Sequence, residues 1–361
     1  MIRSALQPAS VILLAALSSA IAGRAADAAP PVVPAAKVSW AGLLRAGEIT
    51  LYLENDKFFA GTDRHYTNGF KLSFLGDTKL NESPDFVQAV AKYIPTLSPD
   101  AALEQHYKVG VALGQNIYTP TDTESSALIT TDRPYAAWLY GALMFQAENR
   151  AHTVLRVVEL DAGIVGPGAL GEQTQNGWHS VIKVPHAQGW SHQLHNEPGV
   201  VLTWERRYRV KRVISPETGL GAELFARGGL SIGNVDTSAR AGLTMRAGWK
   251  LPHDFGPDLI RPGGGDVEPV SRASFYLYTG VDGRAVARDI FLDGNSWRSS
   301  ASVRKRPVVG DFISGLVMRC PCRLGGLKGF QLAYSETART KEFYGQLQRD
   351  VFGSMSISFL F

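Results

Sequence analysis

The sequence predicts an all-β fold: a transmembrane antiparallel β-barrel of about 12 strands with two short helices in its connections. Three observations lead there. The N-terminus reads as an export leader, hydrophobicity then alternates mostly with period two, and the chain ends on an aromatic residue, Phe361. Of the 361 residues, 45% are hydrophobic and 19% charged, which excludes a disordered or collagen-like chain. Formal charge is 37 − 33 = +4, without a Lys/Arg block, so nothing marks a nucleic-acid-binding surface.

The leader comes first. Arg3 precedes an apolar run from Val11 to Ala22, followed by the small residues Ala25, Ala26 and Ala28. That run is too short to span a bilayer and has the layout of a secretory signal peptide, assigned to residues 1–28. Removing it takes Arg3, Arg24 and Asp27 away and leaves a charge of 35 − 32 = +3. A linker over 29–46 contains the extended stretch Pro30 to Ala36. No apolar run of about 18 residues follows, so no transmembrane helix is expected. The barrel is assigned to 47–361.

Within the barrel segment, the last strand is the clearest. Met355, Ile357, Phe359 and Phe361 share one face, and Ser354, Ser356 and Ser358 share the other. Its aromatic end resembles the C-terminal strand of bacterial outer-membrane barrels. Around 200–210, Val200, Leu202, Trp204 and Tyr208 alternate with Thr203, Glu205, Arg207 and Arg209. In 274–288, Phe275, Leu277 and Val281 alternate with Tyr276, Tyr278, Asp282 and Arg284. Alternation alone also fits a soluble sandwich; the leader, terminal Phe361 and interspersed Trp/Tyr favour a membrane barrel. Strands are expected near 47–56, 66–76, 106–118, 135–149, 151–164, 197–211, 218–231, 238–250, 272–287, 305–319, 325–337 and 351–361. Helical patterns occupy Pro84 to Ile94 and Glu172 to Ile182. If the first strand rises from the periplasm, connections 57–65, 119–134 and 165–196 are external, and the helix at 84–94 is periplasmic.

Polar residues are dense at those external ends. Asn55 and Asp56 should face Thr67 and Asn68 across the first hairpin, a concentration of hard oxygen donors that suits Ca²⁺ but also an ordinary polar hairpin tip. Arg133, beside Asp132 and Tyr135, could meet a lipid phosphate or simply pair within the wall. Gln175 and His179 are i and i+4 on a helix, so the amide could orient an imidazole able to take a proton from water; a lone histidine is also commonly structural. No nucleophile elbow, H-E-x-x-H motif, P-loop or G-x-G-x-x-G occurs. Cys320 and Cys322 are too close in sequence for an easy bridge, and no third thiol completes a zinc site.

Taken together, E-N-D-x-F at 54–58, T-D-x-x-Y-T-N-G at 62–69, G-Q-x-I-Y-T-P at 114–120, D-R-P-Y-A at 132–136, Q-N-x-x-H at 175–179 and N-E-P-G at 196–199 resemble the outer-membrane lipid A 3′-O-deacylases. The resemblance implies Ca²⁺-dependent hydrolysis of the ester holding the 3′ acyloxyacyl chain on the lipid A of outer-leaflet lipopolysaccharide. It implies Asp56 and Thr67 at the metal, His179 as general base, Asn55 and Thr67 in the polar surround, and Gln175 as a support for His179. One departure stands out. The best-known members place a basic residue after the Y-S/T-P motif, whereas 121–131 contain no Lys or Arg here; either Arg133 substitutes as the substrate contact, or catalysis is weaker, or the substrate preference differs. Nothing in the residues reads a sugar, so a phospholipase remains an alternative, as does a non-catalytic barrel or channel.

Overall fold

A computed structural model describes residues 47–56, 65–78, 105–256, 260, 262 and 270–361. The expected leader at 1–28, linker at 29–46 and helix at 84–94 lie outside the described residues. Alternating sequence closes into one antiparallel barrel of twelve strands, β1 pairing with both β2 and β12. The strands are β1 (Gly47–Asn55), β2 (His65–Thr78), β3 (Gln105–Thr119), β4 (Ala136–Asn149), β5 (Val154–Val165), β6 (Glu197–Ile214), β7 (Leu220–Gly233), β8 (Asp236–Trp249), β9 (Ser274–Asp289), β10 (Val308–Leu324), β11 (Leu327–Arg339) and β12 (Asp350–Leu360). Helix α1 (Gly171–Ile182) coincides with the expected one. The single turn α2 (Ile290–Asp293) was not anticipated; Asp289 caps it by accepting from the Phe291 N–H.

Period two sorts each strand between two environments. Leu113, Leu143, Leu202, Leu243 and Leu277 stand exposed on the outer face, as a lipid-facing wall requires. In β12, Ser356 and Ser358 are buried inside while Met355 and Phe359 face out. The interior is filled. Lys71 donates to Glu159 at 2.6 Å, both fully buried, and to the Ile260 carbonyl at 3.0 Å. Arg339 holds Asp311 through two hydrogen bonds of 2.8 and 2.9 Å, and Arg227 holds Asp282 in the same two-pronged manner. Such forks match the geometry of a carboxylate. A cavity of about 150 Å³ remains among these groups.

Odd-numbered connections gather at one end. At that end 120–135, 166–196 and 290–307 are long and 234–235 is a two-residue turn; at the other, 150–153, 215–219 and 325–326 are tight turns, whereas 79–104 and 250–273 are long. Cys320 and Cys322 are both free thiols beside a bulge in β10.

Candidate active site

The site is built on the outer face of the wall. Along β1, Glu48, Thr50 and Tyr52 are buried inward, so Asn55 belongs to the outward set. Its neighbour in β2 is decided by a bulge: Tyr66 pairs with Tyr118 and Asn68 with Ile117, leaving Thr67 as the extra residue. Tyr66 points inward, donating to Glu54 at 2.6 Å and accepting from Asn116 at 2.8 Å. A Cβ on Gly69 would meet the Tyr66 hydroxyl at 2.0 Å, so only glycine fits beneath it. Past the bulge, Thr67 and Asn68 both turn outward. The Thr67 hydroxyl lies 2.7 Å from that of Thr119, and the Asn55 Nδ2 donates to the Thr67 carbonyl at 3.1 Å.

Helix α1 is clamped over this patch from outside. Ile117, Tyr135, Ala137, Ala169, Ala187 and Trp190 form an apolar cluster against the wall. The Gly166 N–H donates to the Ala137 carbonyl, Gln115 Nε2 to the Ala169 carbonyl at 2.6 Å, and the Gly168 N–H to Asn196 at 2.7 Å. A Cβ on Gly171 would lie 2.4 Å from that of Ala137, so the first turn sits directly on the wall. Gly171, Gln175 and His179 form the buried face of α1. Asn55, Thr67, Asn68, Ile117, Thr174, Gln175, Trp178 and His179 then line one pocket between helix and wall.

The imidazole is oriented by backbone. His179 Nδ1 lies 2.6 Å from the Pro185 carbonyl, which can only accept, so Nδ1 carries the proton and Nε2 is the basic nitrogen. The strand of loop bearing Pro185 is tied back to the helix by Asn176, which accepts from the Ala187 N–H at 2.8 Å and donates to the Ala187 carbonyl at 3.2 Å. Gln175 Oε1 accepts from Trp190 Nε1 at 2.9 Å. The amide therefore shares the face of His179 and accepts from Trp190; helical spacing pointed neither to Trp190 nor to the Pro185 carbonyl, and Asn176, though part of the Q-N-x-x-H motif, had no role assigned to it. Asp56, one residue beyond β1, is buried at the same rim without lining this pocket.

Arg133 lies elsewhere. It is buried, its Nη1 is 3.2 Å from Glu342, and its guanidinium lies 4.8 Å from the ring centroid of the inward-facing Tyr118. It belongs to the lumenal side of the wall, away from the pocket that holds His179. Asp132 pairs instead with His65 at 3.2 Å and accepts from the Thr121 N–H at 2.8 Å. Burial alone would push the Asp132 carboxyl up; the hydrogen bonds from His65 and Thr121 outweigh it and hold the group well below the usual carboxylate range.

The donors around Asn55, Asp56 and Thr67 are all oxygens, which fits a hard cation such as Ca²⁺ in type. Among the described residues no three His, Cys, Asp or Glu side chains converge as a metal cluster, so neutral oxygens would have to complete the shell of an ion here.

The comparisons agree with this architecture. The sequence model of the family described as "Outer membrane protein LpxR" matches residues 11–361. No curated protein sequence matches the chain significantly. The solved structure of LpxR from Salmonella typhimurium superimposes with a TM-score of 0.65 at 17% identity, covering 87% of this chain and 100% of that one. The β domain of the Bordetella autotransporter BrkA reaches a TM-score of only 0.40 at 9% identity, covering 88% and 97%. The match over nearly its whole length places the chain in the LpxR outer membrane protein family, ester hydrolases of the outer membrane that remove acyl chains from lipid A.

Proposed function

We propose that this protein is a Ca²⁺-dependent lipid A 3′-O-deacylase in which His179 activates the attacking water. The observation that carries the reading is the Pro185 carbonyl on His179 Nδ1, inside a pocket shared with Asn55 and Thr67 on the lipid-facing wall. With Nδ1 protonated, Nε2 takes a proton from water as that water's oxygen attacks the ester carbonyl. The tetrahedral intermediate then expels the 3′ sugar oxygen, which recovers the proton from Nε2, and the acyloxyacyl chain leaves as its acid. Asp56 and Thr67 would hold the ion, with Asn55 beside them. Bound there, Ca²⁺ supplies Lewis acidity, drawing electron density from the ester carbonyl oxygen and offsetting the charge it gains. Thr119 supports Thr67 from the next strand, and Trp190 keeps Gln175 packed under His179. Attack by water requires no acyl-enzyme.

Mass spectrometry of lipid A from cells expressing the protein tests this directly, beside His179→Ala and with Ca²⁺ supplied or chelated. Loss of one acyloxyacyl unit should depend on both the histidine and the ion, with the variant slower by about 10²- to 10⁴-fold. Full activity of His179→Ala in an inserted barrel would refute the mechanism. Unchanged lipid A with the wild-type barrel would refute the substrate.

A further inference from the structure

The surface of α1 divides into three sectors. At about 100° per residue, the buried face centres on Gln175, flanked by Gly171 and His179. One flank carries Trp178 and Val181, 54% and 70% exposed, and Ile182, the last residue of the helix, lies in line with the buried face yet is still 38% exposed. The other carries Glu172, Asn176, Ser180 and Lys183, with Gln173 beyond. A helix lying on a membrane wall with one apolar and one polar flank has the layout of an interfacial helix: the apolar side faces the chains and the polar side faces water. The pocket opens on the apolar flank, because Thr174 and Trp178 line it whereas Asn176 and Ser180 do not. The wall itself is apolar outside, with Leu113 in β3 and Leu143 in β4 exposed on the same outer face.

We propose that Trp178, Val181 and Ile182 form the acyl-chain contact of the site. This turn of α1 is immersed in the chains of the leaflet and lays the ester-bearing chain along Trp178, with its carbonyl end at His179. The occupant is thus a fatty acyl chain of the lipid substrate. A hydrophobic ring and two branched side chains, left uncovered by protein beside a polar pocket, match an extended hydrocarbon whose only polar group must reach the imidazole. The inference rests on the preceding reading for the identity of the reaction, but the membrane contact can be measured without catalysis.

The full-length barrel is reconstituted in vesicles of phosphatidylcholine brominated on its acyl chains, and tryptophan fluorescence is compared between wild type and Trp178→Phe. The difference signal, which belongs to Trp178, should be blue-shifted and quenched by the bromines. In parallel, Val181→Asp should raise KM for lipid A in vesicles about tenfold, from the lost apolar burial, and more than it lowers kcat. A Trp178 signal untouched by bromolipid overturns the proposal whatever the activity. An unchanged KM for Val181→Asp, with Trp178 quenched, also overturns it, because the turn would then touch bulk lipid without guiding substrate. If wild type leaves lipid A intact while Trp178 is quenched, the membrane contact is supported and the reaction assigned above fails instead.

Discussion

Replacing Asn176 with Ala removes both hydrogen bonds that tie the Ala187 backbone to α1 and so weakens the hold on the loop carrying the Pro185 carbonyl, leaving the Val184 N–H on the His179 carbonyl and the Ser180–His186 contact at 2.8 Å. That carbonyl decides which nitrogen of His179 is protonated. Each neutral hydrogen bond contributes about 1 kcal/mol net, so about 2 kcal/mol of loop positioning is at stake. If that whole amount is transmitted to the transition state, the rate falls about 30-fold, since about 1.4 kcal/mol corresponds to tenfold. Asn176→Asp keeps the acceptor for the Ala187 N–H and loses only the donor, so its expected loss is about fivefold. The assay is the initial rate of acyl release from lipid A in vesicles, with folding checked by the heat-dependent shift of the barrel on a gel. A folded Asn176→Ala enzyme working within twofold of wild type would show that the Pro185 carbonyl is held without this tether, and the reasoning would be wrong.

Arg133→Ala should act on stability and spare the chemistry. It leaves Glu342 buried beside one cation fewer and uncovers Tyr118, so the denaturant midpoint should fall while kcat of the folded fraction stays within a few-fold; a selective rise in KM would return Arg133 to the substrate. Lys71→Met strands the fully buried Glu159 and should cost about 3–5 kcal/mol of barrel stability, read from urea unfolding in micelles; a cost under about 1 kcal/mol would mean Glu159 is neutralised without Lys71. Asp132→Asn tests the rim. Because the folded-state pKa of Asp132 is depressed, its contribution is present above the unfolded carboxylate pKa and is lost as pH falls through the folded value. The variant should therefore be less stable than wild type at neutral pH, and the gap should close only in strong acid; a gap that closes between pH 5 and 7 would contradict the assignment.

Much of this fold is legible because a membrane wall imposes a simple rule on sequence. Lipid outside and polar lumen inside force alternation at every strand, and the twelve expected segments all correspond to observed strands, with shifts of a few residues at their ends. The single turn α2 escaped notice because four residues carry no helical period. Of the site, Asn55, Thr67, Gln175 and His179 were recognisable from their motifs, and they do meet in one pocket. The partner of Gln175 was not, because i and i+4 spacing reports that two side chains share a face but not what packs beneath it; here it is Trp190, distant by fifteen positions and brought in by a folded loop.

By itself the sequence determined the barrel, its strand count, the end at which the polar motifs collect, and the candidate site residues. Only the tertiary structure decided on which side of the wall they lie. Strict alternation from Lys71 would have sent Thr67 into the lumen; the bulge between Tyr66 and Asn68 turns it out to join Asn55. The long connection after β5 could have folded over the barrel mouth, but the apolar cluster of Ile117, Ala137 and Trp190 draws α1 onto the outer face. Arg133, equally prominent in the motifs, falls on the inner side because its guanidinium finds Glu342 and Tyr118 there. Period and propensity act along the chain, whereas the choice of face at a bulge and the resting place of a loop depend on contacts between residues far apart in it.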